Sequence, residues 1–242
     1  MAAHPFLTAF QTADGFGKCI FLALFTLSIL SWFVLLHKLW LLRKVKETSN
    51  HFSSFIAQHQ ETLLHLKSSH MPTPSSSVPQ PFTKIYLTLK KKTNDLLAKN
   101  QFFMKKGKND PVHLSRADLA VIKSDMQTAI KSAVKQLEHN LFILSTVVTL
   151  APFLGLLGTV WGILVAFSEL QSGASIGSST ALLGGLSTAL TTTVIGLIIA
   201  IPALVAHSYF KNVIRQFAGS MEIFGSQLIE QIELQYRQVD VT

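Results

Sequence analysis

Three stretches of this chain, residues 19–36, 141–167 and 170–210, contain no Asp, Glu, Lys or Arg. A helix that crosses a bilayer needs about 20 consecutive apolar residues, and the hydrocarbon offers no partner to an unpaired backbone group. The first two stretches supply one span each. The third is longer than one span requires, but it opens on the polar, glycine-rich LQSGASIGSST. Residues 169–180 are therefore expected to form a loop, and 181–210 the third span. Composition agrees, with 14% charged and 48% hydrophobic residues, where a soluble domain carries about 25% charged residues. The first stretch reads as a retained span rather than a cleaved leader. It is longer than an ordinary leader's apolar run, no small-x-small site follows it, and Lys38, Arg43, Lys44 and Lys46 come next.

The net charge is +8, from 21 basic and 13 acidic residues. Most of the basic residues lie between Lys38 and Lys135, and Lys211, Arg215 and Arg237 follow the third span. Three spans place both regions on one side, so the pattern is that of a positive inner face, with the N-terminus outside and the C-terminus inside. That placement accounts for the charge without a nucleic-acid partner. The runs KKK (90–92) and MKKGK (104–108) read as solvated or headgroup-facing.

The expected organisation is an all-α membrane protein. Residues 1–17 form an amphipathic outer segment and 18–42 the first span. Residues 43–138 form a cytoplasmic helical region, interrupted by the Pro/Ser linker at 71–81. The second span is 139–168, the outer loop 169–180, the third span 181–210, and a cytoplasmic helix covers 211–242. Within the cytoplasmic region, helices are predicted at 44–68 and 82–104, with a turn at 106–111. A stronger helix begins near Ser115, where SRAD reads as a capping box with Asp in place of Glu. Its apolar stripe is Leu119, Ile122, Met126, Ile130, Val134 and Leu137. No breaker follows before Pro152, so one unbroken rod is predicted from Ser115 into the second span.

Enzyme signatures are missing. The Gly-Lys pairs at 17–18 and 107–108 lack the flanking residues of a P-loop. GLSTA at 185–189 lacks the last glycine of a nucleophile elbow and lies in a span, where the required strand cannot precede it. HQETLLH (59–65) has the wrong spacing for a zinc helix, and the single cysteine, Cys19, excludes an internal disulfide. No enzymatic activity, metal or cofactor is expected.

What remains lies inside the membrane. Helices in lipid associate through small residues and interhelical hydrogen bonds. Gly155, Gly158, Gly162 and Ala166 step by three or four along the second span, with Thr159 beside them. Gly185, Ala189, Thr192, Thr193, Gly196, Ala200 and Ala203 form a second such strip, with hydroxyls at Thr188, Thr191, Thr192 and Thr193. Two readings follow. Either the threonines bond back to their own helices in a packed pair, or they line a semi-wet lumen. The apolar blocks carry no charged group of the kind that marks most proton relays, so an ion path here would need a partner's ionisable residue.

GLLGTVWG (155–162) followed by the T-T-x-x-G and A-I-P-A strings over 192–203 resembles the MotA/TolQ/ExbB proton channel superfamily, in its ExbB/TolQ branch. The likeness is tight over about 140–210 and architectural elsewhere. It implies a bacterial inner-membrane homopentamer around a central pore, whose outer side is the periplasm. A dimer of single-span ExbD/TolR-like partners would sit in the pore and supply one membrane aspartate, with a TonB/TolA-like protein beyond. The resemblance puts Thr159 and Thr193 on the proton path, and we place Thr188 and Thr192 with them. Gly155, Gly158, Gly162, Gly185, Gly196 and Pro202 are assigned to helix packing. One departure stands out. The family's third span usually opens on G-x-x-E-A-L, whereas this chain has GLSTAL, with Thr188 at the glutamate's place. The implied function is a proton-channel subunit that transmits the proton motive force to the outer membrane or envelope. The alternative is a non-conducting membrane scaffold. ExbB-like and TolQ-like roles, and proton and sodium, stay open at this point.

Overall fold

A computed structural model describes residues 5–58, 78–103, 113–171 and 178–236. Among these are six α-helices and no β-strand: α1 Pro5–Thr12, α2 Gly15–Gln58, α3 Pro81–Phe103, α4 Arg116–Glu138, α5 Leu141–Gln171 and α6 Ser178–Tyr236. Three of them, α2, α5 and α6, are long and apolar enough to cross a membrane. The turn predicted at 106–111 and most of the linker at 71–81 lie outside the described residues. The predicted helix 44–68 is seen as the end of α2, up to Gln58. The chain divides into two compact units, Met1–Lys38 with Asn140–Phe210, and Leu39–His139 with Lys211–Thr242.

In the first unit the apolar parts of α2, α5 and α6 share one core: Ile20 and Leu24 from α2, Val147 and Ala151 from α5, and Ile199, Ala200 and Ala203 from α6. The alanines matter here, because lipid tails are as apolar as leucine and only close approach favours helix on helix. Pro152 and Pro202 both lie inside continuous helices. Each lacks an N–H and so frees the carbonyl four residues earlier, a defect that packed membrane helices tolerate.

In the second unit the predicted stripe of α4 is mostly inward. Ile122, Met126, Ile130 and Leu137 are buried, and so are Ala129 and Ala133 beside them. Aromatic rings join the other helices. Phe52 of α2 meets Tyr86 of α3 edge-on at 5.9 Å, and Phe82 of α3 lies 4.8 Å from Phe224 of α6. Lys92 and Asp125 form an ion pair at 2.8 Å between α3 and α4, each about a third exposed or more, so its contribution is at most ~1 kcal/mol.

The capping box at Ser115 forms as predicted. The Ser115 Oγ accepts from the Asp118 N–H at 3.1 Å, and Asp118 Oδ2 accepts from the Ser115 N–H at 2.9 Å. Asn100 of α3 donates to the same oxygen at 3.0 Å. Burial raises the Asp118 carboxyl, but the bonds from Asn100 and Ser115, with Lys99 nearby, outweigh it and hold it below its ordinary value. A depressed carboxyl stabilises above its unfolded pKa and loses that contribution as pH falls through the folded one. Ser115→Ala is expected to cost about 1 kcal/mol in thermal melts of the solubilised protein at pH 7. Asp118→Ala should flatten the acid side of the stability–pH curve, and an unchanged acid limb would count against this account of the box.

The single rod predicted from Ser115 into the second span does not form. α4 ends at Glu138 and α5 begins at Leu141. Asn140 between them has φ 69°, the left-handed region that ends helices. Asparagine enters it at low cost because its short polar side chain bonds locally. The new helix then starts on the Asn140 carbonyl, which accepts from the Ile143 N–H at 3.2 Å. Both ends of the loop expected at 169–180 are helical, since α5 runs to Gln171 and α6 starts at Ser178, and residues 172–177 lie outside the described residues. Helical hydrogen bonds there satisfy backbone groups that the polar side chains alone suggested would stay in a loop. The third helix continues past Phe210, to Tyr236.

Candidate functional site

The α5–α6 pair is packed backbone to backbone. A Cβ added at Gly196 would lie 2.6 Å from the Ala151 carbonyl oxygen, and one at Gly155 would lie 2.9 Å from both Thr192 O and Thr193 Cα. Gly158 faces the Thr192 side chain, and a Cβ at Gly162 would sit 2.8 Å from the Ala189 Cβ. At Gly185 the contact relaxes to 3.4 Å, against the Ala166 Cβ. Pro202 is exposed on α6 and stands outside this strip.

The four threonines are placed differently. Thr192 is 2% exposed, and its Oγ1 lies 3.1 Å from Gly155 O across the interface and 2.7 Å from Ala189 O of its own helix. Thr193, half-buried, also donates to Gly155 O, at 3.0 Å. One carbonyl of α5 thus has the hydroxyls of two consecutive α6 residues within 3.1 Å. Thr159 is half-buried and donates to Leu156 O at 2.7 Å, within its own helix. Thr188 donates to Gly184 O at 2.9 Å, and its oxygen lies 3.0 Å from the Thr12 hydroxyl of α1. The structure therefore gathers Gly155, Gly158, Thr192 and Thr193 into one cluster and sets Thr159 and Thr188 apart from it.

Sequence reasoning missed the N-terminal side of the site. Asp14 caps α2, with Oδ1 accepting from the Gly17 N–H at 2.9 Å. Its other oxygen accepts from the Trp161 Nε1–H of α5, also at 2.9 Å. The Phe16 ring lies 4.4 Å from the Trp161 ring. Burial raises the Asp14 carboxyl, but the Trp161 bond and the backbone N–H bonds outweigh it and lower it below the ordinary carboxylate range. The signal was present: an acidic residue directly before a glycine-led apolar run is an N-cap candidate.

A model of the family described as the MotA/TolQ/ExbB proton channel family matches residues 95–223. The Tol-Pal system protein TolQ of Haemophilus influenzae is 38% identical over 107 residues, 42% of this chain and 46% of that one. The biopolymer transport protein ExbB of Xanthomonas campestris pv. campestris is 35% identical over 115 residues, 48% of this chain and 44% of that one. The ExbB of Aquifex aeolicus is 38% identical over 82 residues, 34% of this chain and 55% of the relative. The chain spans about half the length of the curated relatives it matches.

Proposed function

The chain belongs to the MotA/TolQ/ExbB proton channel family, in its ExbB/TolQ branch, and on that premise we propose that it is the proton-channel subunit of an inner-membrane motor. In this reading several copies, five by the resemblance, surround a single-span ExbD/TolR-like dimer. The N-terminus and the 172–177 connection face the periplasm, and the second unit lies in the cytoplasm, where the excess of basic residues belongs. Protons moving down their gradient shift the inner dimer, which carries force to the envelope or outer membrane.

The observation that carries the proposal is the α5–α6 pair. Glycines hold the charge-free stretches of α5 and α6 in backbone contact, while hydroxyls at Thr159 and Thr193 stay half-exposed along them. Hydroxyls relay or coordinate a small cation without the cost of burying a charge. Thr188 and Thr192 sit on the same helix face but are covered, so in this reading they support the path rather than line it. Gly155, Gly158, Gly162 and Gly196 keep the pair closed; Gly185 and Pro202 act through the shape of α6.

The scaffold reading also rests on a specific observation: all four hydroxyls have backbone acceptors within 3.1 Å. Liposomes holding the purified protein with and without a single-span, aspartate-bearing partner separate the two. Under an imposed proton gradient, flux at least about tenfold above empty vesicles is expected with the partner present. Background flux in both preparations sinks the channel reading. Flux driven only by a sodium gradient would change the ion and keep the architecture.

A further inference from the structure

Helix α1 has eight residues, fewer than the ~12–15 that a helix needs to persist by itself in water. Its seat in the first unit must therefore come from tertiary contacts. The apolar ones are Ala9 and Ala13, buried with Phe21 and packed by Ile195 of α6, and Phe10, whose ring meets that of Phe21 edge-on at 5.8 Å. Two polar contacts complete the seat. The Thr12 hydroxyl lies 3.0 Å from that of Thr188. Directly after α1, Asp14 reaches Trp161 of α5. Its carboxylate serves both helices at once, one oxygen on the Gly17 N–H and the other on the indole N–H.

The contacts fall at one level of the unit. Trp161 stands roughly 20 residues from Leu141, and Thr188 roughly 20 from Phe210. At 1.5 Å per residue this is about 30 Å, the thickness of the hydrocarbon core. The seat of α1 thus lies toward the end of the charge-free stretches that carries the N-terminus. Beneath it, Thr188 is 9% exposed.

We propose that Asp14 and Trp161 form a latch that seats α1 over Thr188 and keeps that hydroxyl from water. The pairing is specific to a carboxylate. Asparagine at 14 retains one acceptor oxygen, enough for the Gly17 cap, and its amide nitrogen cannot accept from the indole. Asp14→Asn therefore removes the latch and keeps the cap. Trp161→Phe removes the donor and keeps a ring against Phe16. The latch is a property of the fold; its effect on ion passage rests on the channel reading above.

The test is the rate at which a membrane-impermeant maleimide labels a cysteine placed by Thr188→Cys, in the full chain with Cys19→Ser. Labelling requires no ion flux, so failure of the channel reading leaves the result intact. Slow labelling is expected with the latch present. Asp14→Asn or Trp161→Phe should each raise the rate about tenfold, as expected for a lost charge-assisted bond. The double variant should go no further than either single one. Equal rates in all four proteins, or effects of the two substitutions that multiply, would overturn the latch. The two single variants check each other, since a folding defect in one would not reproduce the other's rate.

Discussion

Gly196→Leu is expected to prevent α5 and α6 from closing. The added Cβ alone would lie 2.6 Å from the Ala151 carbonyl oxygen and 3.4 Å from Gly155 Cα. These are backbone atoms, so no rotamer change relieves the overlap and the helices must separate. Separation also withdraws Gly155 O from the hydroxyls of Thr192 and Thr193. Overpacking a well-packed core costs about 1–3 kcal/mol, and displaced backbone with the Thr193–Gly155 hydrogen bond lost places this case at or above the upper figure. The expected result is a steep fall in accumulation in the membrane and a lower melting temperature of what is recovered. Gly219→Leu is the control. A Cβ at Gly219 meets nothing within 4 Å, and leaving glycine inside a helix gains about 0.5–1 kcal/mol. If the Gly196 and Gly219 variants melt alike, the backbone contact between α5 and α6 does not hold the pair together.

Thr159→Val is expected to do the opposite, leaving the fold intact and stopping ion flow. Valine has threonine's shape. The lost hydroxyl is half-exposed and donates to Leu156 O within its own helix, so the stability change should stay below about 1 kcal/mol. In the channel reading, however, that hydroxyl is a polar group on the ion's way across a charge-free span. Proton flux in partner-containing liposomes should fall at least about tenfold, with assembly size and melting temperature unchanged. Wild-type flux in this variant would remove Thr159 from the path. Thr159→Ser, which restores the hydroxyl, should recover most of the flux.

Much of this architecture was legible because it follows from local chemistry. Charge-free blocks of sufficient length become membrane helices whatever surrounds them. The Ser115 cap was legible because the capping box is a contact between residues three apart. The break at Asn140 was not, because asparagine enters the left-handed region only when its surroundings favour it, and no glycine or proline marks the place. The small-residue strips were visible as spacing, but spacing could not distribute the threonines. Thr192 and Thr193 are neighbours in the chain, yet one is buried in the interface and the other half-exposed, a difference set by the rotation of α6 against α5. The Asp14–Trp161 pair was not legible for a related reason, since its two residues are far apart in sequence and the cap signal at Asp14 and the string around Trp161 are each local.

The sequence by itself therefore determined the helical class, the three candidate spans and the family, since length, charge and short strings are properties of the chain alone. Only the tertiary structure decided which glycines touch backbone, which hydroxyls stay open, and that α1 is seated over Thr188. Those depend on helix register and rotation, which arise when three apolar helices find the one packing in which Gly155, Gly158 and Gly196 leave no gap.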